Sequence, residues 1–146
     1  MKRPPSFYYL MLMDEDIVLL ELNARWGCAL PFGWIPITGD DIIPDTEIYY
    51  AELFDNREDE VKDILRHLYS DKVLEIEEGG TVSSKHLDDC FFHYTGLEQL
   101  YTNATCDFVL YFSHESTVTA GGKLLLEEIH SRWPAYHNQL WTGELR

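Results

Sequence analysis

The stretch H-L-D-D-C-F-F-H places His86, Cys90 and His93 within eight residues of one another. Imidazole and thiolate are zinc donors, so these three side chains could in principle share a metal. Their spacing matches no standard zinc pattern, and a tetrahedral site would need a fourth ligand such as Cys106 or His114. The competing reading is a loop with two surface histidines and a buried cysteine. A Cys–His nucleophile has no local signature here, since a free cysteine commonly packs as a small hydrophobe. Ser113-His114-Glu115 sets triad residue types side by side. In a strand, neighbouring side chains leave on opposite faces, so the three cannot form a triad by adjacency. Asp40-Asp41 and Asp88-Asp89 could hold Mg²⁺, although lone acid pairs are usually solvated. Gly79-Gly80 and Gly121-Gly122 lack the lysine and spacing of a phosphate loop. These motifs therefore predict no cofactor and no enzymatic activity. The alternative is a small ligand-binding or metal-dependent enzyme built on His86, Cys90 and His93.

The charge is more informative. The chain of 146 residues carries 26 acidic and 11 basic side chains, a formal net charge of −15, with four Trp, nine Tyr and seven Phe. An acidic chain poor in aromatics would stay solvated, whereas this one has the apolar mass to fold. Self-repulsion opposes compaction of such a polyanion, which is explicable if a cationic partner is meant to find it. Nucleic acid and anionic membrane surfaces are disfavoured as direct ligands, because both are bound through Lys and Arg. From Asp40 to Glu78 there are fourteen acids against four bases, a net −10 of the total −15. The bland alternative is a solvated face that only maintains solubility.

Beside this acidic stretch, Arg25 to Gly39 reads RWGCALPFGWIPITG. Gly and Pro exclude a long regular element, while the aromatics argue against full solvation. Trp26, Phe32 and Trp34 are the candidate anchors of an interface; the alternative is that the indoles plug the sheet. Asp55, Glu58, Asp59, Glu60 and Asp63 are the candidate steering carboxylates.

These residues need a scaffold. Phe7–Met13 and Ile17–Leu22 flank Asp14-Glu15-Asp16 and predict a hairpin, with a single helix as the rival. Thr46–Phe54 predicts a strand. Asp55 or Asn56 could cap a helix in which Val61, Ile64, Leu65, Leu68 and Tyr69 form one apolar stripe. Val73–Glu78 and Thr81–Ser83 predict a second hairpin around Gly79-Gly80. Phe91–Tyr94 predicts a short strand, and Thr95 with Glu98 a capped helix. Phe108–Phe112 predicts a central strand covered on both faces. A helix starting near Thr119 would end at Pro134, unless Gly121-Gly122 turns a hairpin between Ser116–Ala120 and Lys123–Glu127.

The expected fold is a single α+β domain over residues 1–146, a mostly antiparallel sheet with two to three helices packed on one face. Three cysteines, widely spaced, with no cleavable leader pattern, predict a reducing cytoplasmic setting. The expected function is that of an acidic protein-binding inhibitor, in class an immunity protein or antitoxin that occludes the active site of a basic toxin such as a nuclease. An adaptor subunit of a larger complex is the other alternative.

Overall fold

The computed structural model describes residues 15–28 and 43–141. Six strands form one antiparallel sheet: β1 (Thr46–Tyr50), β2 (Lys72–Glu77), β3 (Val82–His86), β4 (Gln99–Thr102), β5 (Val109–Phe112) and β6 (Thr117–Gly121). Their order across the sheet is β1-β6-β5-β4-β2-β3. Three α-helices accompany them: α1 (Glu15–Trp26), α2 (Glu58–Leu68) and α3 (Lys123–Arg132). This is the expected α+β architecture.

The helices do not share one face of the sheet, the expected arrangement, but cover both, because the central strands are apolar on both sides. Val61, Ile64 and Leu65 of α2 and Leu125, Leu126 and Ile129 of α3 pack with Leu110, Phe112, Val118 and Tyr101 on one face. On the other, Leu22 and Trp26 of α1 pack with Leu74, Ile76, Leu100, Val109 and Tyr111. The alternation in β5 follows, because Val109 and Tyr111 serve one core while Leu110 and Phe112 serve the other. A strand sandwiched this way reads as an unbroken apolar run, which is why Phe108–Phe112 was legible as central.

Local patterns elsewhere yielded to tertiary pairing. Ile17–Leu22 is helical, not half of a hairpin, and Phe7–Met13 lies outside the described residues. Leu22 and Trp26, four apart, put one stripe of α1 onto the sheet, so a 3.6-residue period governs this apolar run. Phe91–Tyr94 forms no strand, and the Thr95–Glu98 pattern opens no helix but leads into β4. There Leu100 and Tyr101 are buried on opposite faces, a gain that a short capped helix could not match.

The expected strand through Phe54 stops at Tyr50, where Ala51–Phe54 tightens into a 3₁₀ turn. Helix α2 starts at Glu58, and no side chain caps it. Asp55 and Asn56 instead form the turn before it, with Asn56 in the left-handed region at φ 61°. The stretch after Ser116 divides between the two expectations. Thr117–Gly121 is a strand, and α3 begins after Gly122, whose φ of 122° breaks the extended run.

Trp26 is 5% exposed and its indole N–H donates to the Cys106 carbonyl at 2.9 Å. The ring lies so close to the sheet that a Cβ on Gly121 would come within 3.0 Å of it and 2.7 Å of Val109. Among the described residues, no helix is long and apolar enough to cross a membrane.

Candidate functional site

A cleft of about 840 Å³ opens where three segments meet: the turn into α2, the loop after Cys90, and the β5–β6 turn. The first wall is the 3₁₀ turn with Phe54, followed by Asp55, Asn56, Glu58 and Asp59. Acids here occupy the first turn of α2, where the helix dipole favours them. Phe92, His93 and Tyr94 make the second wall. Phe92 is fully buried against Tyr101 and Phe112, so it anchors this loop to the core. The third wall runs from Phe112 through Ser113 and His114 to Thr117.

Hydrogen bonds lock the third wall. The Ser113 amide donates to the Thr117 carbonyl at 3.0 Å, and the Ser113 and Thr117 hydroxyls bond to each other at 2.8 Å. Ser116 takes a left-handed conformation at φ 62°, as the closing residue of a three-residue hairpin loop commonly does. Its carbonyl accepts from the Ala51 amide at 2.8 Å, tying this wall to the first.

Two histidine–carboxylate pairs flank the opening. His93 Nδ1 contacts Glu58 Oε1. His114 Nδ1 lies 2.6 Å from Glu98 Oε2, which also accepts the His114 backbone amide at 3.0 Å. The other Glu98 oxygen accepts the Tyr111 hydroxyl at 2.5 Å. Partial burial pushes the Glu98 carboxyl up, but bonds from Tyr111 and His114 outweigh it and hold the group below its ordinary range. The hydrogen bond to Glu98 and its negative charge raise the His114 imidazole.

The predicted steering acids have separate fates. Asp55 and Asp59 are exposed and make no ion pair among the described residues. Glu58 is paired with His93. Glu60 accepts the Trp133 indole N–H at 3.1 Å. Asp63 lies 3.4 Å from Arg66, whose guanidinium also meets Asp71 at 2.6 Å and Asp88 at 3.5 Å. Glu75 is 1% exposed, bound by the Lys85 ammonium at 2.9 Å and the Tyr101 hydroxyl at 2.7 Å. Within the acidic stretch Asp63, Asp71 and Glu75 are thus paired with a lysine or arginine of the fold, while Asp55 and Asp59 line the cleft without one.

The expected anchors also divide. Trp26 belongs to the core and presents no side chain to a partner. Phe32 and Trp34 lie outside the described residues. Exposed aromatic surface instead occurs at the cleft: Tyr94, 42% exposed, lines it, and Phe91, 55% exposed, stands edge-on to the lining His93. The sequence signal for this patch was present in Phe91–Tyr94, but an aromatic run reads as a strand before its surroundings are known.

His86, Cys90 and His93 are not brought together as a ligand set. His86 Nδ1 accepts the Asp88 amide at 3.1 Å, the buried Cys90 thiol donates to the His86 carbonyl at 3.4 Å, and His93 faces the cleft. Among the described residues, no group of three His, Cys, Asp or Glu side chains is placed to hold a metal ion. Burial pushes the Cys90 thiol up to about 11 and raises Cys28 and Cys106 as well, so none of the three is poised as a thiolate. The Ser113 hydroxyl is buried and engaged by Thr117 and the Glu115 amide, while His114 turns to Glu98. The cleft therefore offers carboxylates, imidazoles and aromatic faces, a set suited to holding a guanidinium or ammonium group.

No protein-family model matches this chain, and no curated protein or solved structure matches it either.

Proposed function

We propose that this protein is an acidic binding module that captures a basic protein partner at the cleft, acting as an inhibitor of the immunity-protein or antitoxin type. One observation carries the reading. Asp55 and Asp59 stand without ion pairs in a cleft lined by the exposed Tyr94 and flanked by the exposed Phe91, whereas Asp63 and Asp71 meet Arg66 and Glu75 is held by Lys85 on the same strand–helix–strand unit. Apolar side chains next to unneutralised carboxylates suit a partner that offers aromatic or aliphatic surface rimmed by Arg and Lys. A toxin that binds phosphate must display such cations, so occupying them would speed encounter and block substrate together. Three buried free cysteines accord with a reducing, cytoplasmic setting.

The test is retention of partners from native lysate at low ionic strength, on wild type and on two charge-reversed variants. Asp55→Lys/Asp59→Lys should lose a basic protein that wild type retains, with association slowed about 10–100-fold at low salt. Asp63→Lys/Asp71→Lys, around Arg66 at the far end of α2, should keep it. The retained protein's own activity should fall when this chain is added. Equal retention by both variants, or an undiminished partner activity, would overturn the proposal.

A further inference from the structure

The two edges of the sheet are finished differently. Outside β1, residues 139–141 run alongside: Tyr49 bridges to Leu140, the Tyr50 amide donates to the Gln139 carbonyl at 2.7 Å, and the Trp141 amide donates to the Ile48 carbonyl at 2.8 Å. At the opposite edge, β3 has β2 on one side and no strand on the other among the described residues.

Register shows which groups β3 leaves over. The Glu77 amide donates to the Thr81 carbonyl at 2.9 Å and the Leu87 amide to the Asp71 carbonyl at 2.8 Å. In an antiparallel pair the hydrogen-bonded positions alternate, so Ser83 and Lys85 bond inward to Glu75 and Val73. The amides and carbonyls of Val82 and Ser84, with the amide of His86, point away from the sheet. The His86 carbonyl accepts the Cys90 thiol.

Natural edges are guarded by proline, bulges or an inward-pointing charge. Strand β3 has none of these in effective form. Its five pairs, from Lys72↔His86 to Ile76↔Val82, are unbroken, and its sequence VSSKH holds no proline. Lys85 is the charge that would repel an incoming strand, but its ammonium is drawn onto Glu75.

We infer that the β3 edge accepts an extended segment of a basic protein, pairing through Val82, Ser84 and His86. The occupant's charge follows from what flanks the edge. Glu77 and Glu78 lie at its start and Asp89 at its end, all three without an ion pair among the described residues, while Asp88 is already met by Arg66. A short extended segment with Arg or Lys at both ends places one cation beside the Glu77–Glu78 pair and the other beside Asp89, while main-chain bonds supply the pairing. The inference shares only the basic character of the partner with the cleft reading and does not depend on Asp55 or Asp59.

The probe is a short synthetic peptide of alternating threonine and valine with arginine at both ends, added to isotope-labelled protein. Amide exchange at Val82, Ser84 and His86 should slow about tenfold or more on saturation. Methylating the peptide's pairing amides should abolish binding, and replacing its arginines by glutamate should abolish it at low salt. Ser84→Pro should lose the peptide while the β2 and β4 amides stay protected, which shows that the sheet persists. The Asp55→Lys/Asp59→Lys protein should still bind the peptide, so a failed cleft reading and a failed edge reading are told apart. Absence of protection at the three amides, or equal binding of the methylated peptide, overturns the inference. A concentration-dependent dimer of this chain that Ser84→Pro prevents would also overturn it, assigning the edge to a second copy.

Discussion

The two ends of α2 carry the same kind of residue and put it to different uses. At the C-terminal end, Asp63, Asp71 and Asp88 surround Arg66. Through that one guanidinium they join α2, the turn into β2 and the turn after β3. At the N-terminal end, Asp55 and Asp59 line a cleft and make no ion pair among the described residues, and only Glu58 has a histidine. Carboxylates that hold a fold together are matched by internal cations; carboxylates that meet a partner must be left unmatched. A net charge does not separate the two, because local pairing decides how much of the field reaches solvent.

Mutations can break or sharpen this contrast. The largest effect expected is on stability alone. Trp26→Ala removes a ring buried on the sheet and should cost about 3–5 kcal/mol in denaturant unfolding. The folded fraction should bind a basic partner at an unchanged rate, since Trp26 of α1 is buried against the sheet. A slowed rate per folded molecule would show that the open end depends on that aromatic after all.

A smaller effect is expected at the closed end. Hydrogen bonding to Asp71 and the neighbouring carboxylates raise the Arg66 guanidinium above its ordinary range, although the group is exposed. Arg66→Ala should lower the melting temperature modestly at low salt and hardly at all at high salt. It should also release carboxylates and raise the low-salt association rate about twofold. If the association rate falls instead, the closed end is part of the docking surface and the contrast fails.

The smallest effect is a pH dependence at the rim. His114 is raised in the fold, so its contribution to stability is complete below the ordinary histidine value of 6.5 and is lost as pH rises through the raised value. Glu98 is lowered, so its contribution is complete above the ordinary value of 4.5 and is lost as pH falls through the lowered value. The pair therefore stabilises most between those two ordinary values. His114→Gln should narrow the stability gap between acid and alkaline conditions, with the largest loss inside that window and none at alkaline pH. A loss of equal size at all pH values would assign His114 a packing role only.

Helix α2 and the central strand could be seen in the residues themselves. Val61, Ile64 and Leu65 repeat at helical spacing, and the run ending in Phe112 is apolar throughout because both of its faces are covered. The candidate site was half visible. Asp55, Glu58, Asp59 and His93 stand out by charge and side-chain chemistry, but nothing in the sequence marks His114, Glu98, Phe91 and Tyr94 as their neighbours. They come from segments far apart in sequence, joined only when the β5–β6 turn meets the start of α2. Trp26 is sealed for the same reason, because nothing in the residues around it announces Gly121 and Val109 beneath it.

Composition alone determined that this chain is a foldable polyanion, since charge and aromatic content are summed without regard to position. Spacing within single elements determined α2 and β5, because a helical or strand period is a local property. Which carboxylates are neutralised, which edge is left open and which tryptophan is sealed were decided by the tertiary structure. Arg66 meets Asp88 across 22 residues and Trp133 meets Glu60 across 73, and only the packing of elements brings such groups within reach of one another.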